Sequence, residues 1–306
     1  MSLPDFADRD GAIWLDGTLV PWRQARPHVL DHGLHYGSSV MDGLRIYGGR
    51  IFRLRDHTER LLRSARVLGF DLPFPAEAID EACRAVCAAN GVTDGYIRPV
   101  AWRGSEAMGV SAKGTRPRLA IAAWEWPAYF GPEAKARGLR LDWAQWHRPA
   151  PDTAPVQAKA GGLYMIGTLS KDRALDRGYD DALMLDWRGH LGEATGANVF
   201  LVMENGSLHT PEPVGILNGL TRQTVMALAR RRGIEVVERA ILPDELAGAR
   251  EVFLTGTAAE IMPVGAVGED LVFTPGAVTE ALMADYAAAV RTEWTGTPAT
   301  APERAA

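Results

Sequence analysis

The chain has 306 residues, long enough for two modest domains or one large one, and its 47% hydrophobic content is that of a protein with an ordinary buried core. A net charge of -5 and a pI near 5.8 argue against nucleic acid or an anionic membrane surface as the main partner. No run approaches the ~20 apolar residues that span a bilayer, and the first residues lack the basic-then-apolar pattern of a secretory signal, so a cytoplasmic protein is expected.

Taken in chain order, the apolar runs 12–15 and 18–20 flank Asp16-Gly17 and read as a hairpin. A helix is expected from Asp56, which can cap it with Glu59 three residues on; Leu61, Leu62, Ala65 and Leu68 form its apolar stripe. A second helix covers about 75–90. In it Cys83 and Cys87 stand four apart on one face, as small buried hydrophobes rather than metal ligands. Strand-like runs follow at 96–103 and 118–126.

Near 127–138 the pattern breaks into Pro, Gly and charged residues. This divides the chain into a small domain (1–126), a linker (127–138), a larger domain (139–294) and a frayed tail (295–306). The second half opens with a strand at 139–146 and a Pro-rich loop at 148–155. A hairpin-rich stretch then turns at Arg188-Gly189 and Asn205-Gly206. A helix at 221–232 ends in Arg230-Arg231-Arg232, charges suited to the negative end of its dipole. Strands at 235–239 and 252–255 and a helix at 277–290 complete the pattern. Helices and strands mix without strict alternation, which indicates an α+β fold.

Zinc-protease, Walker, dinucleotide and nucleophile-elbow motifs are all missing. His32 and His35 are the closest histidine pair and suit a turn or a subunit contact. Lysine is rare, four residues against 29 arginines, and three of the four keep charged or polar company. Lys159 instead sits in Val156-Gln157-Ala158-Lys159-Ala160-Gly161-Gly162, where small neighbours leave room for a backbone or a cofactor. An amine desolvated there can attack a carbonyl; the alternative is a lysine snorkelling at the rim of a Gly turn.

Asn218-Gly219-Leu220-Thr221-Arg222 opens a helix whose free N–H groups and Thr221 hydroxyl suit an anion, or merely cap the helix. Thr255-Gly256-Thr257-Ala258-Ala259-Glu260 is a second donor-rich turn after a strand. Glu193 lies in Gly192-Glu193-Ala194-Thr195-Gly196, another small-residue setting, where a carboxylate can meet a pyridinium nitrogen.

These segments, with Tyr36-Gly37, Arg60-Leu61, Tyr96-Ile97-Arg98-Pro99 and Met108-Gly109-Val110, stand in an order and spacing that resembles the branched-chain amino acid aminotransferases. The resemblance runs from about 10 to 290. It implies a two-domain fold-type IV enzyme with a barrel-like β core in the larger domain, pyridoxal 5'-phosphate as cofactor, and a homodimer. It makes Lys159 the Schiff-base lysine and Glu193 the partner of the ring nitrogen. Tyr164 then serves the ring hydroxyl and Leu217 the ring face, with Arg60, Gly219, Leu220, Thr221 and Thr257 about the phosphate. The substrate contacts it implies are Tyr36, Met41, Gly43, Tyr96, Arg98, Val110 (from the partner subunit), Trp126, Tyr129 and Ala258.

The expected reaction is transfer of the amino group of leucine, isoleucine or valine to 2-oxoglutarate. Two departures stand out. Met41-Asp42-Gly43 replaces the family's usual Phe-Glu-Gly, which keeps a D-amino acid or (R)-amine transaminase as the alternative, and Asn218 replaces a common Pro. An aminodeoxychorismate lyase would share Lys159 and Glu193, but the Arg98 motif and aromatic pocket count against it.

Overall fold

The computed structural model describes residues 5–126 and 130–296. The expected hairpin forms from β1 (Ala12–Leu15) and β2 (Thr18–Pro21), turning on Asp16 and Gly17, both at positive φ. There follow α1 (His32–Tyr36), β3 (Ser39–Met41), β4 (Leu44–Tyr47) and β5 (Arg50–Ile51). Helices α2 (Leu54–Val67) and α3 (Ala76–Ala89) precede β6 (Gly95–Arg103) and β7 (Pro117–Glu125). The strands form an antiparallel sheet in the order β2-β1-β7-β6-β4-β5, with β3 also on β6. Leu61 and Ala65 of α2 pack with Ile79, Cys83 and Val86 of α3 against Ile97, Leu119 and Ile121. Burying a leucine of this kind contributes about 2 kcal/mol.

Helix α2 does not start where the sequence suggests. It begins at Leu54, and Asp56 lies inside its first turn, where its carboxylate takes the Arg53 Nε–H at 2.5 Å instead of capping the helix. Cys83 and Cys87 are buried free thiols, as the spacing implies, and burial pushes Cys87 up to about 11.

The second half begins with α4 (Pro132–Arg137), a short helix closed by Gly138 at φ 76°, within the segment read as a linker. Next come β8 (Leu139–Trp143), α5 (Met165–Asp176), β9 (Asp181–Leu185), β10 (Leu191–Ala194), β11 (Asn198–Met203) and β12 (Leu208–Pro211). Then follow α6 (Leu220–Arg231), β13 (Val236–Arg239), β14 (Ala249–Gly256), β15 (Glu260–Val267), β16 (Leu271–Val272) and α7 (Ala277–Ala289). Six strands close a ring, β10-β9-β8-β15-β14-β11 and back to β10, with β12 and β13 extending from β11. This is the barrel-like core of a two-domain α+β molecule.

Helix α5 escapes a search for apolar periodicity because its buried positions are Gly167, Ser170 and Ala174. A Cβ at Gly167 would come 3.2 Å from the Thr195 carbonyl oxygen, so the helix lies close against the loop after β10.

Candidate active site

A cleft with about 600 Å³ of empty space gathers Arg60 from the first domain with Lys159, Tyr164, Glu193, Leu217, Gly219, Leu220, Thr221 and Thr257 from the second.

Lys159 sits on the long loop between β8 and α5, and the first domain fixes its backbone. Its N–H donates to Ser64 Oγ of α2 at 3.0 Å, and its carbonyl accepts the Met41 N–H of β3 at 3.0 Å. The small residues that follow serve this docking. A Cβ on Gly161 would lie 2.5 Å from Ser39 Oγ, and one on Gly162 would lie 3.2 Å from the Gly37 carbonyl. The amine is held separately, donating to the Tyr164 hydroxyl at 2.6 Å.

Glu193 of β10 and Asn198 of β11 form the cross-strand pair that closes the ring. Asn198 Nδ2 donates to Glu193 Oε2 at 3.1 Å and to the Leu217 carbonyl at 2.9 Å. Arg148 Nε lies 3.2 Å from Glu193 Oε1 in an ion pair. Burial raises the Glu193 carboxyl above its ordinary value, although Arg148 and Lys159 oppose it. A desolvated acid of this kind gains from a cationic partner. Gly219 is required beside it, since a Cβ there would come 2.2 Å from Asn198 Oδ1.

Helix α6 starts at Leu220 with Gly219 at its N-cap, so the N–H groups of its first turn border the cleft beside Thr221. The turn at Gly256-Thr257 borders it from the end of β14. Arg60 reaches it from α2, and two of its nitrogens are committed to the fully buried Asp42: Nε to Oδ2 at 2.8 Å and Nη2 to Oδ1 at 2.7 Å. His57 Nδ1 is 2.7 Å from the same Oδ1. Burial pushes Asp42 up, but Arg60 and His57 overcome it and hold the carboxyl well below its usual range. Burial lowers the His57 imidazole below its ordinary value, although Asp42 opposes the shift.

The remaining candidates form a second group. Arg98 donates to the Met41 sulfur and to the Tyr96 hydroxyl, both at 3.2 Å. Trp126 meets the Tyr96 ring edge-on at 4.8 Å. Gly43 lets the Tyr96 hydroxyl approach, since a Cβ there would lie 1.8 Å from it. Met41 joins this group to the cleft through its bond to Lys159. Tyr36 and Val110 are exposed, and Val110 is 84% accessible. His32 explains the histidine pair: its ring lies 3.0 Å from Ser38 Oγ and 3.1 Å from the Gly109 carbonyl, tying down the Val110 loop. Ala258 lies in the turn after β14, and Tyr129 lies outside the described residues.

Asp42, His57, Ser64, Arg148 and Asn198 hold the expected residues in place without having been expected to do so. One signal was available: His57, Arg60 and Ser64 are spaced three and four apart and so share a face of α2. Among the described residues no cluster of His, Cys, Asp and Glu could hold a metal ion, and no helix is long and apolar enough to cross a membrane.

The amino-transferase class IV family model matches residues 39–267. The branched-chain-amino-acid aminotransferase of Pseudomonas aeruginosa is 42% identical over 92% of this chain and 93% of its own. That of Escherichia coli (strain K12) is 40% identical over 83% and 84%. A crystal structure of a T.th. branched-chain amino acid aminotransferase with pyridoxamine 5'-phosphate superposes with a TM-score of 0.89 at 40% identity, covering 92% of this chain and 94% of that one. The chain therefore belongs to the class IV aminotransferases, in the branched-chain-amino-acid aminotransferase group.

Proposed function

We propose that the protein binds pyridoxal 5'-phosphate and transfers the amino group of leucine, isoleucine or valine to 2-oxoglutarate. The observation that carries this reading is the convergence, in one cleft, of the Lys159 amine on the Tyr164 hydroxyl, a desolvated Glu193 and the first turn of α6. The donor set fits the cofactor from end to end: an amine, an acid for the ring nitrogen, and N–H and hydroxyl groups for a phosphate. Bound there, the cofactor supplies a reactive carbonyl and an electron-withdrawing ring.

Lys159 would hold the cofactor and, once released, carry a proton to and from the substrate α-carbon. Tyr164 orients its amine. Glu193, aligned by Asn198, would keep the ring nitrogen protonated. Thr221, Thr257, Arg60 and the N–H groups of Leu220 and Thr221 would take the phosphate, with Leu217 against the ring. Tyr96 and the Thr257-Ala258 turn would receive the α-carboxylate. Arg98 supports a dicarboxylate acceptor, because the partners it has here, a sulfur and a phenol, are neutral and weak. Tyr36 would join Arg98 at that distal carboxylate, and Trp126, Tyr129 and Gly43 would complete the side-chain pocket.

We also infer a homodimer in which Val110 enters the partner's pocket. Its exposure and that of Leu34 and Met165, each about two-thirds accessible, support this reading. The division near residues 126 and 139 and a cytoplasmic location complete the proposal, the latter supported by two free thiols.

A panel of L- and D-aliphatic amino acids and (R)-1-phenylethylamine, with 2-oxoglutarate as acceptor, tests the reading. Leucine, isoleucine and valine should be the preferred donors. Preference for the D-acids or the amine would replace the reading with the other transaminase.

A further inference from the structure

Three non-glycine residues among those described adopt positive φ: Asp16 (46°), Arg53 (52°) and Glu260 (57°). Asp16 makes the β1–β2 turn. The other two stand on opposite sides of the domain boundary, and each is held by side-chain hydrogen bonds that cross it.

Arg53 stands in the left-handed region at the N-cap of α2, with its side chain 2% exposed. Its guanidinium grips the start of α6. Nη1 donates to the Leu220 carbonyl at 2.8 Å and to Thr224 Oγ1 at 3.0 Å, and Nη2 donates to Gln223 Oε1 at 3.2 Å. Glu260 closes the Thr257-Ala258-Ala259 turn, at a position where Gly or Asn is the usual choice. Its Oε1 accepts the Tyr47 hydroxyl of β4 at 2.7 Å. Strained backbone of this kind persists where surrounding contacts over-determine it.

A small second cavity lies behind the cleft, bordered by Tyr47 and Arg53 on one side and by Leu220, Thr221 and Thr257 on the other. Those last three also border the cleft itself. One thin wall thus separates the two spaces, and it is the wall assigned above to the phosphate. Both of its segments are braced from behind by the first domain.

We propose that Arg53 and Tyr47 are positioning residues for the phosphate end of the cleft, so that phosphate binding and domain docking form one coupled equilibrium. The inference rests on the phosphate assignment made under the proposed function. Arg53 aims the first-turn N–H groups by holding the carbonyl of the same turn, and Tyr47 does the same for Thr257 through Glu260. The Arg53 charge also sits beside the positive end of the α6 dipole, offset in part by its ion pair with Asp56. What remains of it favours a dianion within the cradle over an empty one.

The test compares pyridoxal 5'-phosphate with pyridoxal, which lacks the phosphate, by absorbance titration of apoenzyme from wild type, Arg53→Met and Tyr47→Phe. Tyr47→Phe is expected to bind pyridoxal 5'-phosphate roughly tenfold more weakly, as loss of one such hydrogen bond implies, and Arg53→Met, which loses three, at least as weakly. Pyridoxal should bind all three proteins alike, and Arg53→Lys should recover part of the loss. Equal weakening of both ligands would mean a general structural role and overturn the proposal, as would unchanged binding of the phosphorylated form. Tyr47→Phe removes a single oxygen and keeps the test open if Arg53→Met does not fold. A wild type that binds both ligands equally would instead overturn the phosphate assignment itself.

Discussion

Asn198 bonds the Glu193 carboxylate through the same pairing that closes the barrel: the two residues face each other across β10 and β11, Nδ2 to Oε2 at 3.1 Å. The orientation of the acid is therefore a property of the closed sheet. A hydrogen bond to a charged group is worth about 1.5–3 kcal/mol, so Asn198→Ala should lower kcat/KM roughly tenfold or more. Steady-state kinetics with leucine would show it. Unchanged kinetics would mean that Arg148 alone orients Glu193.

Lys159→Ala should remove the covalent link to the cofactor and lower transamination by roughly a thousandfold or more. The absorbance of the reconstituted protein should then match that of the free aldehyde. Retained turnover would mean that another of the four lysines serves.

Gly43→Ala would push the Tyr96 hydroxyl aside, and with it one of the two partners of Arg98. The obstacle is a buried aromatic ring packed between Trp124 and Trp126, so the ring must shift as a whole and some stability is lost with it. Misplacing a binding group by about an ångström costs up to roughly a hundredfold. KM for 2-oxoglutarate should rise by about tenfold or more, with a lower thermal unfolding midpoint; an unchanged KM would mean that the Tyr96 hydroxyl does not position Arg98.

Met41→Leu keeps the volume but removes the sulfur that Arg98 meets at 3.2 Å. KM for 2-oxoglutarate should rise severalfold and KM for leucine should not move. Equal changes in both constants would make Met41 a wall of the pocket rather than a partner of Arg98.

His57 is buried and its pKa lies below 6.5, chiefly through desolvation. The unfolded chain therefore takes up this proton at a higher pH than the native protein does. The contribution of His57 to stability is complete above pH 6.5 and is lost as the pH falls through the native value. Urea midpoints at pH 7.5 and 5.0 should show a smaller acid-side loss for His57→Gln than for wild type. Equal losses would mean that the imidazole is protonated in the native state.

What could be read from the sequence was chemistry carried by short contiguous motifs. Lys159 with Tyr164, the start of α6 and the Glu193 strand all lie in one cleft, because each motif supplies its own backbone geometry. Asp42 and Arg148 act through partners 18 and 45 positions away, and no local pattern records such pairing. Asp56 looks like a helix cap from the sequence, but a left-handed Arg53 starts α2 earlier, and no propensity favours arginine in that conformation. Helix α5 was hidden because its inward face is made of Gly, Ser and Ala.

Ser64 and Met41 clamp the Lys159 main chain on both sides, and the flanking glycines wedge it against the neighbouring strand. With its root pinned, the amine can move only by rotating its own methylene stem, over an arc of a few ångströms centred on a fixed point. Whichever carbon it serves is approached from one side only. The handedness of the amino acid produced would then rest on which way the carboxylate and side chain are laid down before that one-sided amine, so the lysine clamp fixes the face and the pocket fixes the configuration.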